Sequence, residues 1–288
     1  MIEVIDHLII AVKNLEIAEN NFIKLLGFNP VWQGSHDDLG TSNSIFLLRN
    51  TYLELLTANG EGAGAELVKN FLKKHGEGLM GIAYGAKDLY STSANLSSKG
   101  FSLPSITKGV GHCNETGSQR KWITQLLPFE LTRGIFTFLI EHKEGVLPQS
   151  KECSPSVVNR LDHVVIKTSD VDAVIKVYRD AFGIRLALDK FVEHWKRRML
   201  FFRLNKTTIE VIESSDQEKS MDYLWGIALE VESLSDAHDR LSGIGVELNS
   251  MKPGLKENTI VCTVKSHNHN IPMSVSYTHL RAHETSQH

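Results

Sequence analysis

Cysteine is scarce: Cys113, Cys153 and Cys262 are the three in a chain of 288 residues. An odd count without C-x-x-C spacing fits neither a disulfide framework nor a thiolate metal cage, and it predicts a reducing, cytoplasmic setting. An excess of positive charge is also lacking, since 31 Lys and Arg stand against 34 Asp and Glu for a formal charge of -3. No basic face for nucleic acid is implied. Long apolar runs are missing too. Residues 135–140 make a strand-length run, far short of the roughly 20 residues a bilayer-spanning helix needs, so no membrane partner is expected. Residues 1–7 lack the basic and apolar segments of a secretory signal, and no phosphate loop or G-x-S-x-G elbow is present. The chain does have 41% hydrophobic residues, enough for packed cores in about two domains at roughly 100–200 residues each.

An internal repeat organises those residues. Ile5-Asp6-His7-Leu8-Ile9-Ile10 recurs as Leu161-Asp162-His163-Val164-Val165-Ile166, Gly27 recurs as Gly183, and Glu54 in Tyr52-Leu53-Glu54-Leu55 recurs as Glu210 in Thr208-Ile209-Glu210-Val211. All these pairs share an offset of 156 residues. Between the anchors, 15–26 and 171–182 show helical periodicity, each followed by a glycine where a left-handed cap is wanted. A second pair, Met80-Gly81-Ile82-Ala83 and Trp225-Gly226-Ile227-Ala228, opens another repeat of helix and alternating strands. The pattern strand, helix, strand, strand, strand therefore occurs four times. It predicts an α+β fold of four βαβββ modules forming two curved mixed-sheet halves, 1–145 and 157–273, across a Gly-, Pro- and Ser-rich linker at 144–156. The stretch 274–288 abandons the pattern, and 275–285 resembles translated sequencing-adapter read-through. It is expected to be a non-native tail, so its His279, His283 and His288 are assigned no metal role.

His7 and Glu54 fall in the middle of two strands among apolar neighbours. Charge in such half-buried positions is costly unless paired or coordinated, and an imidazole with a carboxylate makes a plausible pair of metal ligands. Glu141, at the end of a later strand, is a candidate third ligand. The alternatives are a Glu54 that satisfies Arg49 or Arg120, a hydrogen-bonded core His7 and a surface Glu141. Recurrence favours function, because His163 and Glu210 reproduce the first pair as a weaker second site. His36, in a Gly-rich turn, is either a ligand or base facing the cup or a solvated loop histidine. Arg120 and Trp122 bracket a strand start, where they could contact substrate or lie on an ordinary edge. Lys196-Arg197-Arg198 reads as a solvated rim or an anion contact.

Modules one and three open with Asp-His-apolar and close with apolar-Glu-apolar. In this they resemble the vicinal oxygen chelate superfamily, which includes glyoxalase I, extradiol dioxygenases and bleomycin-resistance proteins. The stretch 34–43 followed by Tyr52-Leu53-Glu54-Leu55 is similar to the glyoxalase-like subgroup. The resemblance implies a divalent ion (Zn, Ni, Mn or Fe) at the mouth of a curved sheet, with His7, Glu54 and Glu141 as ligands and Glu54, Glu141 and His36 as the catalytic groups. The remaining ligand position falls on Gly81, unless His36, His112 or a water fills it. It further implies isomerase or lyase chemistry on a small oxygen-rich substrate through an oxyanion, and it admits a homodimer. The rival is a metal-free small-molecule binding or resistance protein, for which Gly81 and Gly226 would remove ligands and open space. An extradiol dioxygenase is disfavoured, because Gly226 and the suspect tail occupy ligand positions.

Overall fold

The structure, a computed structural model, describes residues 1–149, 154–193, 195–214 and 221–278. Module one comprises β1 (Ile2–Ala11), α1 (Leu15–Leu26), β2 (Trp32–His36), β3 (Thr41–Leu47) and β4 (Tyr52–Ala58). Asn14 caps α1 by accepting from the Ile17 N–H at 2.9 Å, and Gly27 ends it at φ +88°, a left-handed conformation glycine adopts without steric cost. After α2 (Ala63–His75), module two adds β5 (Gly78–Ala86), α3 (Leu89–Ser98), β6 (Thr107–Cys113), β7 (Gln119–Leu126), the single turn α4 (Phe129–Thr132) and β8 (Phe136–Glu144).

Module three contains β9 (Arg160–Thr168), α5 (Val171–Ile175), β10 (Arg185–Val192), β11 (Arg197–Leu204) and β12 (Thr207–Glu213). Its helix changes to wider π-helical turns over Lys176–Ala181. Module four has β13 (Tyr223–Glu230), α6 (Leu234–Gly243), β14 (Lys252–Pro253), β15 (Thr259–Val264) and β16 (Met273–Thr278). The last strand corrects the expected break at 274. Met273, Val275 and Tyr277 alternate toward the core, and the strand pairs with β13 and β15, so residues 274–278 are part of the sheet. His279, His283, His288, Cys153 and His194 lie outside the described residues.

Within each module the last strand lies parallel beside the first, and modules join antiparallel along β1–β5 and β9–β13. The first half gains a second seam, because Gly34 and Ser35 of β2 pair with Cys113 and His112 of β6 and close the sheet into a barrel. In the second half β10 and β14 remain the two edges of an open eight-stranded sheet. β14 has only two residues, and Pro253 has no N–H to donate.

The halves share one apolar core running from Leu8, Phe22 and Tyr84 to Phe182, Phe202 and Ile227. Arg133 forks onto Asp222 at 2.8 and 3.2 Å, and Arg240 donates to the last carbonyls of α1 at Lys24 and Leu25. No helix among the described residues is long and apolar enough to cross a membrane.

Closure of the barrel depends on a close approach. A Cβ on Gly34 would lie 2.3 Å from the His112 carbonyl oxygen and 2.5 Å from the Trp32 indole nitrogen. Gly34→Ala is therefore expected to force the β2–β6 seam apart and cost roughly 1–3 kcal/mol in urea unfolding. An unchanged unfolding midpoint would mean that closure does not depend on this contact.

Candidate active site

Alternation along the strands gives the barrel an outer face, packed under the helices, and an inner face around a cavity of about 260 Å³. His7 and Ile9 of β1, Tyr52, Glu54 and Leu56 of β4, Arg120 and Trp122 of β7, and Phe136, Phe138 and His142 of β8 all point inward. This parity corrects the assignment of Glu141. One residue out of step with Ile140 and His142, it faces α3, where its carboxylate accepts from the Leu89 N–H at 2.9 Å and pairs with Lys143. Burial pushes the Glu141 carboxyl up, but Lys143 and the Leu89 N–H outweigh it and hold the group below its ordinary value. Glu141 is a charge at a helix N-terminus, outside the cup.

His7 and Glu54 do meet. His7 Nε2 and Glu54 Oε2 are 3.4 Å apart, within ion-pair reach, yet His7 Nε2 has no hydrogen-bond partner. Both residues are buried, with His7 2% and Glu54 7% exposed. Asn43 of β3 fixes the carboxylate by donating to Oε1 at 2.6 Å. The imidazole stacks on Tyr52 at 4.5 Å between ring centres and meets the edge of Phe138. Arg49, the alternative partner for Glu54, instead pairs with Glu232 on the surface.

Asp6 sits behind this pair, at a bulge where β1 has one residue more than β5 between Ile5 and His7. One oxygen of Asp6 accepts from His7 Nδ1 at 2.7 Å, and the other accepts from His142 Nε2 at 2.9 Å. His142 Nδ1 lies 3.3 Å from the Arg120 guanidinium, which can only donate. These contacts place protons on His7 Nδ1 and His142 Nε2 and leave His7 Nε2 directed toward Glu54. Burial pushes the Asp6 carboxyl up, but the hydrogen bonds from His142 and His7 outweigh it and hold the group well below the usual carboxylate range. Burial also pushes the Tyr52 phenol well above its ordinary value, with the Asp6 charge adding to the effect.

His36 lines the same cup but bonds the Thr41 hydroxyl at 3.0 Å and meets the Trp122 ring edge-on. Its burial holds the imidazole below its ordinary value, against the opposing pull of Glu54. His112 does not line the cup, and its Nε2 meets the Gln119 amide at 2.9 Å. Gly81 opens no space, since a Cβ there would lie 2.5 Å from the Phe136 ring and 2.8 Å from the Phe136 carbonyl oxygen. Gly226 is likewise filled, by the Pro272 carbonyl oxygen at 2.5 Å. Among the described residues, no group of three His, Cys, Asp or Glu converges as a metal cage.

The second half repeats the arrangement. His163 Nδ1 bonds Asp162 at 2.9 Å, and His163 Nε2 lies 3.7 Å from Glu210. This pair is more accessible, with the His163 side chain 26% exposed against 3% for His7. Arg198 pairs with Asp189 and Asp172 at the surface, whereas Arg197 donates to the Glu213 backbone carbonyl at 2.8 Å. Sequence reasoning did not assign the network roles of Asp6 and His142. The Asp-His dipeptide was the available signal for Asp6, and strand parity around Phe138 was the signal for His142.

Residues 5–182 match the glyoxalase-like domain family, and residues 162–263 match the glyoxalase/bleomycin resistance protein/dioxygenase superfamily. Among solved structures, the chain is similar to a mutant 4-hydroxymandelate synthase from Streptomyces coelicolor, with TM-score 0.70 and 14% identity over 98% of this chain and 94% of that one. It is also similar to the Mn(II)-bound glyoxalase from Novosphingobium aromaticivorans, with TM-score 0.64 and 14% identity over 96% and 82%. A hypothetical protein from Staphylococcus aureus aligns with TM-score 0.64 and 11% identity over 96% and 99%. These likenesses show the shared vicinal oxygen chelate fold. No curated protein matches the sequence.

A carboxyl held below its unfolded value contributes stability that is complete above that value and is lost as pH falls through and below it. For Asp6 the unfolded reference is 3.8. Asp6→Asn should cost about 3 kcal/mol at neutral pH by breaking a buried hydrogen-bonded charge. The difference from wild type should shrink once the pH drops below about 4. A pH-independent difference in urea titrations would contradict this role for Asp6.

Proposed function

The chain belongs to the glyoxalase-like domain family, and from that premise we propose that the first-half cup is the site of a metal-dependent isomerase or lyase acting on a small oxygen-rich substrate. The observation carrying this reading is the unpartnered His7 Nε2, buried and facing the Glu54 carboxylate at 3.4 Å. A nitrogen and an oxygen donor so placed suit a divalent ion, with His7 Nε2 and Glu54 Oε2 as its protein ligands. The carboxylate behind the imidazole, Asp6, is the orienting partner that metal-binding histidines commonly have. Such an ion supplies Lewis-acid polarisation of adjacent substrate oxygens.

The chain's own groups account for binding and proton movement. Asn43 and Asp6 hold Glu54 and His7 in place, and the aromatic wall excludes water from the reacting region. Burial favours the neutral form of His36, so this imidazole can accept a proton from a carbon beside a carbonyl as negative charge develops on oxygen. Glu54 is the second candidate for moving that proton, whereas Glu141 has no part because it lies outside the cup.

A second reading has its own support. With two converging donors rather than three, and with Ile9, Leu56, Met80 and Phe136 on its wall, the cup also suits a metal-free binding protein of the same fold. The metal content of purified protein separates the two. The enzyme reading expects a stoichiometric divalent metal, and a bound ligand present at 100 times its dissociation constant stabilises by about 2.7 kcal/mol, which chelation should remove. Glu54→Gln should abolish both the metal and the response to chelator. Protein that neither retains nor takes up metal, with an unchanged melting temperature in chelator, would leave the binding reading.

A further inference from the structure

Arg120, the second residue of β7, lies on the inner face and is only 6% exposed. Its guanidinium lies over the rings of Trp32 and Tyr52 at 5.7 and 5.8 Å, and one terminal nitrogen faces His142 Nδ1 at 3.3 Å. The Nε–H has no partner, although the atom is buried and the side chain lines the cavity. Leaving a charged donor unpaired in a low-dielectric site is costly, whereas a guanidinium edge framed by aromatic faces presents the planar fork that matches a carboxylate. Among the described residues, no Lys and no other Arg lines the cup.

Charge balance gives the same answer. Counting carboxyls as ionised and histidines as neutral, Arg120 stands against Asp6 and Glu54, and a divalent ion on His7 and Glu54 leaves the cup with one positive charge. A single monoanion cancels it. Beside His36, Thr41 and Asn43, the wall includes Ile9, Leu56, Met80, Phe136 and Phe138, which offer contact to an apolar body. We propose that Arg120 is the substrate-anchoring residue, and that the cup takes a small monocarboxylate with an apolar body whose carboxylate docks on the Arg120 guanidinium. The charge argument rests on the metal reading above, while the unpartnered Nε–H and its aromatic frame stand without it.

The test is calorimetric titration of the purified, metal-analysed protein with benzoate and with its neutral isostere benzamide. Wild-type protein should bind benzoate at least about tenfold more tightly, the equivalent of one charge-assisted hydrogen bond. Arg120→Gln should erase that preference while benzamide affinity and metal content stay unchanged, and Arg120→Lys should restore it in part. Equal binding of the two probes by wild-type protein, binding of neither, or a preference that survives Arg120→Gln would overturn the proposal. The wild-type comparison decides even if the glutamine variant fails to fold. A benzoate preference in protein that neither retains nor takes up metal supports Arg120 and defeats the metal reading, whereas metal retention without the preference does the reverse.

Discussion

Asp6 shares its two carboxylate oxygens between His7 and His142, and the orientation of the polar groups in the cup depends on that sharing. Each imidazole must present a proton to the carboxylate. His142 thereby turns its other nitrogen to Arg120, and His7 turns its other nitrogen to Glu54. A buried carboxylate is tolerable only when such donors compensate its lost hydration, and here they more than reverse the effect of burial on its protonation. The chain Arg120, His142, Asp6, His7, Glu54, Asn43 is thus one polar network crossing a largely apolar wall. Its remaining unpartnered atoms, His7 Nε2, Arg120 Nε and Asn43 Oδ1, belong to residues that line the same cavity.

The sheet topology decides how far a repeated motif becomes a site. Asp162, His163 and Glu210 copy Asp6, His7 and Glu54 in identity and in the contacts among the three, yet their sheet stays open because β10 and β14 do not pair. Burial opposes protonation of His163, but Asp162 and Glu210 prevail and raise its value above the ordinary one, while burial raises Glu210 itself. The position that pairing assigns as the equivalent of His142 is Thr278, which offers no imidazole. In the first half the Gly34 approach closes the wall, and the His7 side chain is 3% exposed against 26% for His163.

Much of this was legible in the sequence, for definite reasons. The common offset of His7 with His163 and of Glu54 with Glu210 exposed the duplicated pair, and helical periodicity ending at Gly27 marked α1. Strand parity was the weak point. Choosing Glu141 over His142 turned on a single residue, and a one-residue slip moves a side chain to the opposite face of a sheet. Arg120 stayed open between substrate contact and an ordinary edge because nothing local shows that β6 and β2 will wall it in. Gly81 read as open space because a sequence does not show which neighbour, here the ring and carbonyl of Phe136, occupies the place of the missing Cβ. The alternation that continues from Met273 through Val275 and Tyr277 ran into the residues set aside as a tail.

Nitrogen-15 NMR of the histidine side chains at neutral pH, without added metal, tests the central claim most directly. The account requires His7 to carry its proton on Nδ1, with Nε2 bare, and His142 to carry its proton on Nε2. A His7 protonated on Nε2 in the neutral form, or a His142 protonated on Nδ1, would contradict it, because Asp6 could not then hold both rings and nothing would aim His7 at Glu54.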